Sequence, residues 1–223
     1  MTELLPGITV ETAPDPKFAV IWLHGLGADG YDFEPIVPEL RLPQELAVRF
    51  VFPHAPMMPV TCNYGYVMRA WYDIRNIDGL AREVDVDGII ASREAVRRLI
   101  EHENARGIAC SNIVLAGFSQ GGAMAYTTGL THPETLAGIV ALSAYVPAPE
   151  LLEAEFAPAN AATPLFAAHG SEDLVVPMQL GAAAVEQVAR LRTPPQWHSY
   201  RMPHAVCPQE IADLGAWFKQ RFQ

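Results

Sequence analysis

A serine in a glycine-rich pentapeptide is the first residue of this sequence that suggests covalent chemistry. The pattern G-x-S-x-G occurs at residues 117–121 (GFSQG), between the apolar run Ile113 to Ala116 and a small-residue segment from Gly121 to Leu130. A strand, a sharp turn and a helix in this order expose a serine at the end of a sheet, where it can act as the nucleophile of acyl transfer. A glycine-rich turn without chemistry is the alternative, and the strand–turn–helix setting disfavours it.

A serine hydroxyl becomes a good nucleophile beside a histidine base that a carboxylate orients. When the serine lies in such a turn, the acid follows it along the chain and the histidine follows the acid. His204 fits as the base because it lies in a loop before the last predicted helix, and Asp173 fits as the acid in the loop after Leu165 to Ala168. His198, within a predicted strand, and Glu172 remain the alternatives.

Acyl transfer also needs N–H donors that face the developing oxyanion. One donor is expected from the backbone of Gln120, the residue after the predicted nucleophile, and the other from a loop after an earlier strand. The apolar run Phe18 to Leu23 is such a strand, and the residues HGLG follow it at 24–27. The backbone N–H of Leu26 is therefore the second predicted donor.

The same loop also fits the dinucleotide pattern G-x-G-x-x-G at residues 25–30 (GLGADG). Two observations disfavour a nucleotide. Pro35 and Pro38 make the next segment a poor phosphate-facing helix, and the next strand ends at residues 52–54 (FPH) without an acid to hold a ribose. Because the sequence also lacks HExxH, CxxC and EF-hand patterns, we predict neither cofactor nor metal.

Composition excludes several classes of protein. Half of the 223 residues are hydrophobic, which disfavours intrinsic disorder, and the net charge of −10 disfavours nucleic acids and anionic membranes as partners. Cys62, Cys110 and Cys207 are odd in number and widely spaced, which indicates reduced thiols. The first ten residues lack the pattern of a signal peptide, and no apolar run is long enough to span a membrane, so we predict a cytoplasmic protein.

Short apolar runs alternate with amphipathic segments along the whole chain, which predicts one α/β domain over residues 1–223. Its sheet is expected to be mainly parallel, with helices on both faces. The predicted strands are Phe18 to Leu23, Val48 to Phe52, Ile113 to Ala116, Ile139 to Leu142, Leu165 to Ala168 and a weaker edge strand, Trp197 to Met202. The predicted helices are Asp85 to Asn104, Gly121 to Leu130, Pro177 to Leu191 and Pro208 to Phe222.

Two segments resist regular assignment. Residues 145–164 read as an excursion that could act as a local lid, and residues 53–75 form a long irregular stretch of the kind that is often functional. The second stretch holds a cluster of large apolar side chains, for which core packing is the alternative. We predict that this cluster lines an acyl pocket: Met57, Met58, Val60, Met68 and Trp71.

Several short motifs occur together in one order. They are HGLGADG at 24–30, FPHAP at 52–56, WYD at 71–73, GFSQGG at 117–122, and His169-Gly170 with Asp173 and Val176-Pro177. From Phe18 to the C-terminus the sequence resembles the small cytosolic carboxylesterases related to acyl-protein thioesterases and lysophospholipases, in the α/β-hydrolase superfamily. The resemblance implies an α/β-hydrolase fold, with Ser119, Asp173 and His204 as nucleophile, acid and base and the Leu26 and Gln120 amides as the oxyanion hole.

The resemblance also implies no cofactor, a small-molecule ester substrate and a homodimer. We predict a serine carboxylesterase that hydrolyses carboxylic esters, and thioesters, of short to medium acyl chains through an acyl-enzyme. A lysophospholipase or an acyl-protein thioesterase on the same site, a serine peptidase, and a catalytically silent binding module are the alternatives. No nucleic acid and no stable membrane insertion are expected.

Overall fold

A seven-stranded sheet forms the centre of the computed structural model, which describes residues 4–222. The strands along the chain are β1 (Gly7–Glu11), β2 (Phe18–Leu23), β3 (Val48–Pro53), β4 (Met57–Val60), β5 (Tyr66–Arg69), β6 (Ile74–Asp78), β7 (Ala81–Val84), β8 (Ile113–Phe118), β9 (Gly138–Leu142), β10 (Leu165–Gly170) and β11 (Gln196–Tyr200). The central sheet has the order β1-β3-β2-β8-β9-β10-β11. Its strands are parallel apart from β1, which pairs antiparallel with β3.

Helices cover both faces of this sheet. They are α1 (Ile36–Glu39), α2 (Val86–Ala105), α3 (Gln120–Leu130), α4 (Pro149–Glu155), α5 (Met178–Leu191) and α6 (Pro208–Arg221). Side chains of α2, α3, α4 and α5 share one core cluster, and those of α1 and α6 share the other. Along β2, Ile21 and Leu23 face the first cluster while Val20 and Trp22 face the second, as the two-residue period of a strand requires.

The mainly parallel sheet covered on both faces is thus confirmed, and β11 lies at the predicted edge. The structure differs in the segment at 53–75, where β4 and β5 pair as a hairpin and β6 begins a second hairpin with β7. These strands have only four or five residues each, too few for a two-residue period to stand out in a sequence. The antiparallel strand β1 was also absent from the prediction.

The excursion at residues 145–164 contains α4 and is tied to the helices on its face of the sheet. Arg93 of α2 donates to Glu155 at 2.6 Å. The fully buried side chain of Asn160 donates to the carbonyl oxygens of His132 and Glu134 at 2.8 and 2.9 Å. Movement of this segment as a lid stays a prediction.

The loop after β11 leads through His204 into α6, whose first turn contains a buried carboxyl group. Glu210 is fully buried, and this burial raises its pKa to about 8, against a smaller lowering by a hydrogen bond from the Cys207 backbone. The helix next to the His204 loop therefore packs around a neutral carboxyl group at neutral pH.

This burial makes the free energy of unfolding depend on pH. Because the pKa of Glu210 rises from 4.5 to about 8 on folding, the stabilisation is fully present below pH 4.5 and is lost as the pH rises through 8. Glu210→Gln stays neutral, so it should remove this decline and raise the Tm above that of the unaltered protein at about pH 9. Thermal unfolding at about pH 5, 7 and 9 measures the effect, with the exposed Glu186→Gln as a charge-matched control. The same change in Tm for Glu210→Gln and Glu186→Gln at about pH 9 would contradict the prediction.

Candidate active site

Ser119 lies in a tight turn between β8 and α3. Its backbone has φ 55° and ψ −119°, a region that residues with a side chain rarely adopt. The turn is held in place because the Ser119 backbone N–H donates to the carbonyl oxygen of Leu142 at 2.8 Å. The predicted strand–turn–helix setting is therefore present, and it points the serine out of the end of the sheet.

The two flanking glycines of the motif are required by close backbone approaches. A Cβ on Gly117 would lie 2.2 Å from the carbonyl oxygen of Gly121, and a Cβ on Gly121 would lie 2.1 Å from that of Leu23. Both distances are far below any real contact, and the atoms met are backbone atoms that cannot move aside. A side chain at Gly117 would push the turn away from α3, and a side chain at Gly121 would push it away from the end of β2.

Ser119, His204 and Asp173 form a chain of two hydrogen bonds. The Ser119 hydroxyl donates to Nε2 of His204 at 2.9 Å, and Nδ1 of His204 donates to Oδ2 of Asp173 at 2.6 Å. The Asp173 side chain is fully buried, whereas that of His204 is 16% exposed. Since a carboxylate can only accept here, the hydrogen lies on Nδ1 and leaves Nε2 free to take the serine proton.

The carboxylate of Asp173 is itself held by its surroundings. Its Oδ1 accepts the backbone N–H groups of Val175 and Val176 at 2.9 and 2.8 Å. His169 lies 3.5 Å from Oδ2 and donates its Nε2 hydrogen to the carbonyl oxygen of Val176 at 2.7 Å. Burial lowers the pKa of His169, so this second imidazole stays neutral and leaves the negative charge of Asp173 to His204.

The alternative residues for base and acid lie elsewhere. His198 stacks on Phe166 with ring centroids 4.4 Å apart, within β11 rather than at the end of the strand. Glu172 accepts a hydrogen bond from Arg201 at 2.8 Å on the surface. Neither residue belongs to the hydrogen-bonded chain that ends at Ser119.

The loop after β2 passes directly beside the serine. A Cβ on Gly25 would lie 3.4 Å from the Cβ of Ser119, and Leu26 and Gln120 line the same cavity as Ser119. Gln120 is the first residue of α3, and the first N–H groups of a helix have no partner within it. The predicted oxyanion residues are therefore brought together with the serine, although they come from different loops.

A cavity of about 390 Å³ opens at Ser119, and we call it the Ser119 cavity. Its wall is mainly apolar, with contributions from Cys62, Ile74, Ile77, Tyr145 and Val176. Arg82 also lines it, but the guanidinium donates to the carbonyl oxygens of Gly79 and Ala81 at 2.8 and 2.9 Å within its own hairpin. The cavity is of a size and character suited to an apolar group of a small molecule.

The side chains predicted to form an acyl pocket lie outside this wall. Trp71 and Val60 are fully buried, and Met57 is largely exposed. Met58 and Met68 face each other across the β4–β5 hairpin, where Met68 accepts a hydrogen bond from Asn63. These five residues are thus absent from the wall of the Ser119 cavity, and their place in an acyl pocket stays a prediction. Val175 lines the cavity and was not among them, although an apolar residue so soon after the predicted acid was a signal that the sequence offered.

A second cavity, the His204 groove, meets the first at the histidine. It has a volume of about 470 Å³, and Asp32, Phe118 and His204 line both cavities. Its other wall residues come from the loop before α1, from α1, from the loop after His204 and from α6: Phe33, Pro35, Ile36, Glu39, Ala205, Val206 and Ile211. The imidazole therefore lies between two separate spaces.

Metal-ligating atoms converge at one place, away from Ser119. Within residues 4–222, one group of three such side chains has ligand atoms within 4.8 Å of one another, namely Cys110, His132 and Glu134. Burial raises the pKa of the Cys110 thiol, which donates to Asn104 at 3.3 Å. Burial, and then the positive charge of Arg97, lower the pKa of His132. A thiol with a raised pKa is a poor metal ligand, because the thiolate is the form that binds.

The cysteine that lines the Ser119 cavity is also a protonated thiol. Burial, and then the negative charge of Asp73, raise the pKa of Cys62. A thiol with a raised pKa is a weak nucleophile. The serine therefore carries the nucleophilic chemistry that this cavity can support.

Comparison with known proteins agrees with this geometry. The phospholipase/carboxylesterase family matches residues 8–220. The chain is 38% identical to acyl-protein thioesterase 1 of Neurospora crassa, over 98% of this chain and 90% of that protein, and 36% identical to acyl-protein thioesterase 1 of Mycosarcoma maydis, over 92% and 91%. The crystal structure of SOBER1 from Arabidopsis thaliana superposes with a TM-score of 0.87 at 30% identity, covering 92% of this chain and 99% of that one.

These matches extend over nearly all of the chain, and they include the sheet and the loops that hold Ser119, Asp173 and His204. Among residues 4–222, no helix combines the length and apolar character needed to cross a lipid bilayer. The fold is that of the α/β-hydrolases. The chain therefore belongs to the phospholipase/carboxylesterase family and is a serine hydrolase of ester or thioester bonds.

Proposed function

We propose that this protein hydrolyses carboxylic esters and thioesters of apolar acyl groups through a triad of Ser119, His204 and Asp173. The observation that carries the proposal is the pair of hydrogen bonds from Ser119 to His204 and from His204 to Asp173, at 2.9 and 2.6 Å, at the mouth of an apolar cavity. A serine in this setting has a base to take its proton and a space for an acyl chain.

In the first half of the reaction, the Ser119 oxygen bonds to the carbonyl carbon while its proton passes to Nε2 of His204. Asp173 stabilises the imidazolium that forms, because its carboxylate accepts the Nδ1 hydrogen. The carbonyl oxygen becomes an oxyanion between the N–H groups of Leu26 and Gln120. When the C–O or C–S bond breaks, the proton on His204 passes to the departing oxygen or sulfur.

In the second half, water repeats the sequence on the acyl-enzyme. His204 takes a proton from the water as its oxygen bonds to the acyl carbon, and a second oxyanion forms at the same amides. The bond to Ser119 then breaks, the carboxylic acid leaves, and the serine regains its hydrogen from His204. Apart from the substrate and this water, both halves are written with groups of the chain itself.

The two cavities give the substrate an orientation. The Ser119 cavity, which also contains Leu26 and Gln120, holds the acyl half beside the oxyanion donors. The leaving group must be within reach of His204, and the His204 groove offers it a separate space. With about 390 Å³ on the acyl side, short to medium acyl chains fit best. The named thioesterase relatives point to S-acylated proteins as one source of such a thioester.

Ser119→Ala should lower kcat for a p-nitrophenyl ester by about 10⁴-fold or more, because the nucleophile is lost while the fold keeps its turn. Turnover and labelling by a fluorophosphonate probe, with Tm as the measure of folding, check this. Ser199→Ala, on the exposed face of β11, is the control.

Turnover of the unaltered protein without a probe adduct on Ser119 would overturn the proposed nucleophile. Absence of both turnover and adduct would favour a silent binding module, and faster hydrolysis of amides than of esters would favour a peptidase.

Asp173→Asn should lower kcat by about 10⁴-fold with little change in KM, because an amide in place of the carboxylate favours the wrong tautomer of His204. Glu172→Gln is a matched control, since it removes one negative charge at the adjacent position, where the carboxylate pairs with Arg201. Steady-state kinetics on one ester measure both variants. A larger loss of kcat with Glu172→Gln than with Asp173→Asn would show that Glu172, and not Asp173, is the acid.

Cys62→Phe should shift the preference toward shorter acyl chains, because the larger ring occupies part of the Ser119 cavity. We expect kcat/KM for a long acyl ester to fall at least about tenfold relative to that for the acetyl ester. Met57→Phe, at an exposed position outside the cavity wall, is the control. A kinetic series of p-nitrophenyl esters of increasing acyl length measures both, and the same length profile for both variants would contradict the proposed acyl site.

A further inference from the structure

The segment from Arg69 to Tyr72 lies between the two loops that carry the proposed oxyanion donors. On one side it binds the loop after β2. The carbonyl oxygen of Arg69 accepts the backbone N–H of Gly27 at 2.9 Å, and the indole Nε1 of Trp71 donates to the carbonyl oxygen of His24 at 2.8 Å. These bonds hold the backbone at Gly27, directly after Leu26, and at His24, two residues before it.

On its other side the same segment binds the side chain of Gln120. The backbone N–H of Trp71 donates to Oε1 of Gln120 at 2.8 Å, and Nε2 of Gln120 donates to the carbonyl oxygen of Tyr72 at 2.8 Å. Gln120 is buried, with 3% of its surface exposed, and both ends of its amide are used by these bonds. The segment at 69–72 thus forms a bridge with two hydrogen bonds on each side.

The bridge lies just beyond the point where the strands β2 and β8 stop pairing. The loops of Leu26 and Gln120 start from β2 and β8, which are adjacent parallel strands, and their register ends at the pair Leu23 and Gly117. Beyond this pair the backbone ladder between the two strands gives way to the turn and the loop. The hydrogen bonds of the 69–72 segment connect the two loops in the region where the amides must face one oxygen atom.

The other bonds of Trp71 and His24 leave little freedom to either. The Trp71 carbonyl accepts the Ser92 hydroxyl, and the indole is fully buried. His24 donates from Nδ1 to the carbonyl of Gly25 at 2.7 Å and accepts the Ala55 N–H at Nε2 at 3.0 Å. The sequence-based prediction placed Trp71 against an acyl chain, but its burial leaves it no contact with the Ser119 cavity.

We propose that Trp71 and the side chain of Gln120 are positioning residues that set the separation of the Leu26 and Gln120 amides. The inference rests on the proposed function, because it concerns the oxyanion site of that reaction. Preorganised donors stabilise the transition state only while they stay at hydrogen-bonding distance from the developing oxyanion. Loss of the bridge should therefore slow the chemical step without weakening the binding of the acyl chain.

Trp71→Phe tests this most directly, since it removes the indole N–H and keeps a large ring in the core. Trp22→Phe is the matched control: Trp22 is also fully buried, and among the described residues its Nε1 has no hydrogen-bond partner. We expect Trp71→Phe to lower kcat by about 10- to 100-fold with KM within about twofold, and to slow the reaction with a fluorophosphonate to a similar extent. Trp22→Phe should lower the Tm about as much as Trp71→Phe does, but it should leave kcat and the labelling rate close to those of the unaltered protein.

Gln120→Leu is the second variant, and it removes both bonds of the side chain while keeping the backbone N–H. Both variants act on the same bridge. The double variant Trp71→Phe/Gln120→Leu should therefore lose clearly less kcat than the product of the two single losses. Hydrogen exchange provides a readout that does not depend on activity, since the Gly27 amide bonded to Arg69 should exchange faster in Trp71→Phe than in Trp22→Phe.

The outcomes separate this inference from the function on which it rests. Equal kcat, labelling rate and Gly27 exchange in Trp71→Phe and Trp22→Phe would overturn the bridge while the labelled Ser119 kept the proposed function intact. A rise in KM that grows with acyl length, at unchanged kcat, would make Trp71 a residue of the acyl site and also overturn it. Absence of a probe adduct on Ser119 in the unaltered protein would overturn the function and the bridge together.

Discussion

The left-handed backbone of Ser119 is the constraint on which the rest of the site depends. It is held because Gly117 and Gly121 let the turn approach its own helix and the end of β2 within distances that exclude any Cβ. The carboxyl ends of the parallel strands meet at one edge of the sheet, so this turn faces the loops after β2, β10 and β11. Asp173 and His204 reach it from two of those loops. The third brings the Leu26 backbone, so one strained residue fixes where the groups of the proposed triad and oxyanion site meet.

Much of this was predictable because the strongest constraints are local in sequence. A fully buried parallel strand shows as a continuous apolar run, and the bounds of β2 match the predicted run residue for residue. The order of serine, acid and histidine then selected His204 and Asp173 from few candidates. The wall of the Ser119 cavity was not predictable in this way, since it depends on how two short hairpins fold. Met57 and Met58 alternate across a four-residue strand, and their environment follows from that register rather than from residue type.

The buried polar side chains around the turn act mainly on backbone groups. The imidazole of His24 and the amide of Gln120 bind loop carbonyl and N–H groups, and the imidazole of His169 binds the carbonyl of Val176. Burial lowers the pKa of both histidines, so they stay neutral and serve as geometric rather than ionic contacts. His204 is the imidazole of this group that is partly exposed and in contact with a carboxylate. The site thus separates histidines that hold the backbone from His204, which is hydrogen-bonded to Ser119 and Asp173.

Substrate selection and chemistry use different parts of this architecture. The groups of the proposed triad lie in loops at the ends of strands of the central sheet, which both core clusters cover. Much of the outer wall of the Ser119 cavity comes instead from the β6–β7 hairpin and from the loop after Asp173, where Ile77 and Val175 are about half exposed or more. Side chains on such edges can change without moving the serine, because the central sheet does not depend on them. This division of the molecule lets the cavity wall change while the turn at Ser119 stays in place.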